Sequence, residues 1–132
     1  MAEFKQIQEV VHKLAIEKGW HSVEATLTER IMLVVTELAE AVESIRNEEA
    51  AIWQAGESKD PLIGEHKVIK VYPNSPSWQE NRKPEGVLVE LADAVIRIMD
   101  IAQSQCWDLE NAIRVKHKYN ATRPYRHGGK AL

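Results

Sequence analysis

Two acidic pairs at helical spacing stand out in a chain of 132 residues: Glu37 with Glu40, and Glu90 with Asp93. Residues three apart share a helix face, so two helices carrying such pairs can bring four carboxylates together. Like charges a few ångströms apart repel strongly in a low dielectric, and a hard divalent cation removes that conflict. An all-oxygen ligand set suits Mg²⁺ or Mn²⁺ rather than zinc, and Mg²⁺ keeps positions open for water and phosphate. Thr36, four residues before Glu40, can look the same way. For Glu37 and Glu40 the competing reading is a solvated helix face.

Glu90 and Asp93 sit in different company. Twelve apolar residues fall between Val87 and Ala102, and they cover almost the whole circumference of a helix. A helix that apolar is expected to be central, or to be covered by a partner subunit. Its charged residues, Glu90, Asp93, Arg97 and Asp100, are spaced 3, 4 and 3 apart, which confines them to an arc of roughly 80°. Charges on a buried helix must be paired or cation-bound, and Arg97 has Asp93 and Asp100 as available partners. A ferritin-like di-iron centre needs Glu-x-x-His pairs, and neither acidic helix has a histidine.

The C-terminal end carries the opposite charge. Lys116 and Asn120 are four residues apart on a helix face, and Arg123 lies on the same side if the helix reaches it. Pro124 disfavours the α conformation at Arg123 and so frees it from the last turn. Lys, Asn and Arg are suitable donors to phosphate oxygens, Arg bidentately. Beyond them Arg126 and Lys130 read equally well as a solubilising basic tail.

Four helices must position these groups. Phe4, Ile7, Val10, Val11, Leu14 and Ala15 form one stripe over residues 3–18, with Gly19 ending the helix. Thr26-Leu-Thr-Glu29 has the form of a capping box and opens a second helix that runs to about residue 47. The third spans residues 86–104. The fourth runs from an N-cap at Asp108 to about residue 120, and Pro124 closes it. Between the second and third, residues 50–85 hold four of the chain's five prolines. Most of this stretch reads as a long loop, with Lys67-Val-Ile-Lys-Val-Tyr72 able to form a strand or hairpin arm. The expected fold class is all-α: a four-helix bundle in a single domain over residues 1–132, with a loop or small β insertion at 50–85 and a basic tail at 124–132.

Composition narrows the function classes. Hydrophobic residues make up 44% and charged residues 28%, the balance of a globular chain rather than a disordered one. The net charge of −3 hides a partition: residues 1–110 hold 20 acids against 11 bases, for −9, and residues 111–132 hold six bases and no acid, for +6. No apolar run reaches the ~18 residues of a membrane span, and the start of the chain has no signal-peptide layout. Cys106 is the single cysteine, which removes intrachain disulfides, points to a cytoplasmic setting and reads as a small buried hydrophobe. A pI near 6.0 disfavours nucleic acid as a partner.

Thr36-Glu-Leu-Ala-Glu40 followed by Glu90-Leu-Ala-Asp93 resembles the E-E-x-x-E … E-x-x-D signature of the all-α NTP pyrophosphatases of the MazG-like type. Lys116, Asn120 and Arg123 resemble that group's terminal K-x-x-x-N-x-x-R segment, and Lys18-Gly-Trp20 has a counterpart as well. The resemblance covers all four helices and leaves out residues 50–85. Thr36 departs from it, standing where the signature has its first glutamate, and 49 residues separate Glu40 from Glu90. The resemblance implies hydrolysis of a nucleoside triphosphate to the monophosphate and pyrophosphate, with Mg²⁺ or Mn²⁺ as cofactor, in a homodimer or homotetramer. Glu37, Glu40, Glu90 and Asp93 would be the metal-binding and catalytic set, with Glu37 orienting the attacking water. Lys116, Asn120 and Arg123 would hold phosphate, and Trp20 would stack on the base, with Trp53 and Trp78 as weaker candidates for that role. Two other readings compete: a non-catalytic nucleotide-sensing or partner-binding helical oligomer, and, behind it, a helical dimer that binds nucleic acid through its basic end.

Overall fold

The computed structural model describes residues 2–57, 62 and 68–125. Its elements are α1 (Ala2–Glu17), α2 (Leu27–Arg46), β1 (Trp53–Glu57), β2 (Val68–Val71), β3 (Pro84–Glu85), α3 (Val87–Ser104) and α4 (Leu109–Thr122). All four helices fall within a residue or two of the ranges read from periodicity. Their contacts group the chain into two compact units, one of residues 26–97 and one of residues 1–25 with 98–132.

In the unit of residues 26–97, Thr26 caps α2: its side chain accepts a 3.1 Å hydrogen bond from the Glu29 N–H. The capping box is only half made, because the Thr26 hydroxyl donates to the Glu29 carboxylate itself. After α2 the insertion is more ordered than the proline count suggests. It holds a three-stranded antiparallel sheet in the order β2-β1-β3, with Gln54 opposite Val71 on one side and Pro84 on the other. The expected hairpin arm is β2, while Lys67 lies outside the described residues. Gln54 is fully buried, and its amide pairs with the backbone of Gln79 through bonds of 3.0 and 2.8 Å. That side chain extends the sheet's hydrogen bonding to a segment too irregular to be a strand.

Gly86 joins β3 to α3 at φ +114, and a Cβ there would lie 2.4 Å from the carbonyl oxygens of Ala50 and Ala51. Only glycine permits so close an approach. The Leu88 N–H then donates to the Ala51 oxygen at 3.0 Å, so the start of α3 is pinned to the chain leaving α2.

The unit of residues 1–25 and 98–132 is built from α1, the end of α3 and α4. Ala15, Met99, Ile101 and Ala102 are buried in it, with Gln8, whose amide donates to the Gln103 side chain and the Trp107 carbonyl. Gly19, at φ +83, ends α1 in a Schellman turn, with the Trp20 N–H reaching back to the Ala15 oxygen. The same geometry ends α2 at Glu48 and α3 at Cys106, both non-glycine residues at positive φ. Cys106 is therefore exposed, not the buried hydrophobe its type suggested, because a position that must turn left-handed past a helix end faces solvent.

Of the two expectations for α3, central within the chain or covered by a partner subunit, the first is not met. Leu88, Leu91, Val95 and Ile98 are between 40% and 49% exposed, and α2 likewise exposes Ile31, Met32, Leu33, Val35, Leu38, Val42 and Ile45. The helix is apolar all round without being enclosed by this chain. Among the described residues, no helix is long and apolar enough to cross a membrane.

Candidate metal and phosphate site

All four acidic candidates lie in the unit of residues 26–97. Within it, Glu37 and Glu40 on α2 meet Glu90 on α3, and one carboxylate oxygen from each falls within 4.8 Å of the others. Glu37 is buried, Glu90 half-buried and Glu40 exposed. The Glu90 carboxyl is pushed up from an ordinary 4.5 to about 7, first by burial, then by a hydrogen bond to Glu40, and then by the charges of Glu40, Asp93 and Glu37. Asp93, one turn further along α3, is also raised, by burial and by Glu37 and Glu40, against the opposing pull of Arg97 and Lys83. It stands beside the three glutamates rather than among their converging oxygens.

Such an arrangement is short of positive charge. Arg97 supplies some, since its Nε donates to Glu37 Oε1 at 2.7 Å. Spacing alone offered Asp93 or Asp100 as its partner; the ion pair is with Glu37, while the Arg97 charge still acts on Asp93. The Thr36 hydroxyl donates to the Met32 carbonyl of its own helix at 3.3 Å, and the converging oxygens are those of Glu37, Glu40 and Glu90. The donor set is thus all carboxylate oxygen, partly desolvated and holding a proton near neutrality where a cation would otherwise go. These features fit a hard divalent ion.

The basic candidates fall in the other unit. Lys116 and Arg123 flank one aromatic ring, at 5.0 and 5.9 Å from the centre of Tyr119, while Asn120 is exposed on the same helix. Arg123 has extended backbone (ψ 147) and caps α4, as Pro124 requires. Trp20 is 41% exposed. Among the weaker tryptophans, Trp53 has Lys70 over one face of its ring at 4.9 Å. Arg126 and Lys130 lie outside the described residues.

Sequence reasoning missed Lys83 as a cation acting on Asp93, and it missed the surroundings of Asp100. Lys83 lies before the helix that carries Asp93, and the histidines at Asp100 come from 79 and 88 residues away, so no helical spacing signals either. No family model, curated protein or solved structure gives a significant match to this chain.

Proposed function

We propose that this protein is a divalent-cation-dependent nucleoside triphosphate pyrophosphohydrolase of the MazG-like type, releasing a nucleoside monophosphate and pyrophosphate. The observation that carries the reading is the convergence of Glu37, Glu40 and Glu90, with Asp93 alongside and the Glu90 carboxyl raised to about 7. Mg²⁺ or Mn²⁺ held by these four residues would neutralise triphosphate oxygens and acidify a bound water. The raised Glu90 carboxyl reflects burial and the crowding of acids without a cation, and it would serve as a metal ligand once the ion displaces its proton. Glu37 is the carboxylate that would orient the attacking water, and the hydrogen bond from Arg97 to its Oε1 fixes its position. Lys116, Asn120 and Arg123 are the phosphate donors, and Trp20 the stacking partner of the base. The exposed apolar faces of α2 and α3 support a homodimer or homotetramer, in which a second copy covers them.

The test is pyrophosphate release across a panel of NTPs and dNTPs with Mg²⁺ or Mn²⁺, set beside an Asp93→Asn variant. Turnover that the variant loses supports hydrolysis. A wild-type rate no higher than that of Asp93→Asn sinks it.

A second reading has its own observations. Thr36 stands where the signature has a glutamate, and the Glu37 carboxylate is partly neutralised by its ion pair with Arg97, so the cluster offers a cation less negative charge than the signature implies. They favour a chain that binds nucleotide without cleaving it. Calorimetry separates the two: tight nucleotide binding with no pyrophosphate released selects the sensor.

A further inference from the structure

A second cluster, in the unit of residues 1–25 and 98–132, has no part in the proposed hydrolysis. Asp100 on α3 is 3% exposed. His12 on α1 approaches its Oδ1 with Nδ1 at 2.7 Å, and His21 approaches Oδ1 and Oδ2 with Nε2 at 2.8 and 3.0 Å. Among the described residues the two imidazoles are the only side chains that engage this carboxylate, so a buried acid is met by two ring nitrogens. The Schellman turn at Gly19 brings the chain back so that the two rings pack edge to face, 5.0 Å between centres. The cluster therefore draws on α1, the turn that follows it and α3.

From this geometry we infer that His12, His21 and Asp100 form a binding site for a borderline divalent cation, Zn²⁺ being the best match. Two nitrogens and a carboxylate are a donor set that prefers zinc to Mg²⁺. One ligand atom from each residue already lies within 4.8 Å of the others. Zinc bonds of ~2.0–2.2 Å in a tetrahedron need each nitrogen roughly 0.6 Å further from Asp100 Oδ1 than the 2.7 and 2.8 Å at which they stand. The imidazole side chains are 19% and 22% exposed, which admits an ion and leaves water the fourth position. Binding exchanges imidazole-to-carboxylate hydrogen bonds for metal bonds and ties α1 and the turn after it to α3.

The experiment is equilibrium dialysis of the purified protein against ZnCl2 with metal analysis, alongside thermal melting with and without zinc. His12→Gln and His21→Gln keep an amide that can still reach Asp100, while Asp100→Asn removes the anionic ligand. One zinc per chain and a raised Tm are expected for the wild type. Each variant should bind at least ~100-fold more weakly, since outer-shell changes alone reach that cost. Glu90→Gln should retain the zinc. X-ray absorption of the zinc-loaded wild type gives an answer independent of any variant's folding: two imidazole ligands support the site, and a shell of carboxylate and water alone overturns it. No zinc on the wild type, zinc undiminished in His21→Gln, or zinc lost only in Glu90→Gln would overturn it equally.

Discussion

Helix α3 supplies acids to two clusters that balance their charge in opposite ways. Around Glu90, carboxylates face carboxylates, and burial, with the hydrogen bond and charge of Glu40 and the charges of Asp93 and Glu37, raises its carboxyl to about 7. Around Asp100, one buried carboxylate faces two imidazoles, which act as hydrogen-bond donors and need no added cation to be satisfied. The contrast teaches that the type of acid on a helix decides little. The donors brought to it from elsewhere decide whether it is left poised for a hard ion, as in the glutamate cluster, or already paired within a nitrogen-containing set, as at Asp100.

The sharpest way to break this comparison is to neutralise one cluster and read both. If the glutamates serve hydrolysis, Glu90→Gln lowers kcat/KM for the preferred triphosphate by ~100-fold or more, a scale set by what metal-site partners are worth. His21→Gln should leave that rate within about twofold. Equal losses in the two variants would merge the clusters into one function.

The scaffold under the glutamate cluster comes next. Gly86→Ala introduces a Cβ 2.4 Å from two carbonyl oxygens at φ +114, and both strain and clash oppose it. Unfolding by urea should show a loss of ~3 kcal/mol, and Mg²⁺ affinity should weaken along with it because α3 can no longer start where it does. Unchanged stability would mean that the pinning of α3 to Ala51 is unimportant.

Protonation gives a third measure. The Glu90 carboxyl is raised in the folded protein, so between about 4.5 and 7 the folded state holds a proton that the unfolded state has released. Its contribution to stability is complete below pH 4.5 and is lost as pH rises through 7. A cation must displace that proton, so calorimetric Mg²⁺ affinity should climb by up to ~10-fold per pH unit below 7 and level off above it. Glu90→Gln should flatten the curve, and a flat wild-type profile from acid to neutral pH would dismiss the coupling.

The smallest expected effects lie at the helix ends. Thr26→Ala removes the α2 cap and should cost ~1 kcal/mol. Cys106→Gly relieves a non-glycine residue at φ 57 and should gain about the same. Thermal melting reads both, and the opposite signs make the pair a check on the cap assignments.

Much of this molecule can be read without coordinates. The four helices follow from 3.6-residue periodicity with Thr26, Asp108 and Gly19 as stops and starts, since these signals are local and act through the residue's own backbone. β1 escaped such reading because Trp-Gln-Ala-Gly-Glu has no β-branched residue and becomes a strand only through its pairing with β2 and β3. The turns at Glu48 and Cys106 escaped it too, because neither residue type favours the left-handed conformation that the helix ends impose there.

The sequence by itself determined the helices, the two acidic pairs and the basic spacing of Lys116, Asn120 and Arg123, all of which depend on neighbours within a turn or two. Tertiary structure alone decided that Glu90 meets Glu40, that Arg97 serves Glu37, and that Asp100 belongs to two histidines. Those pairings join residues 50 to 88 positions apart. Charge acts through space, so a partner's identity is settled only when the chain has folded.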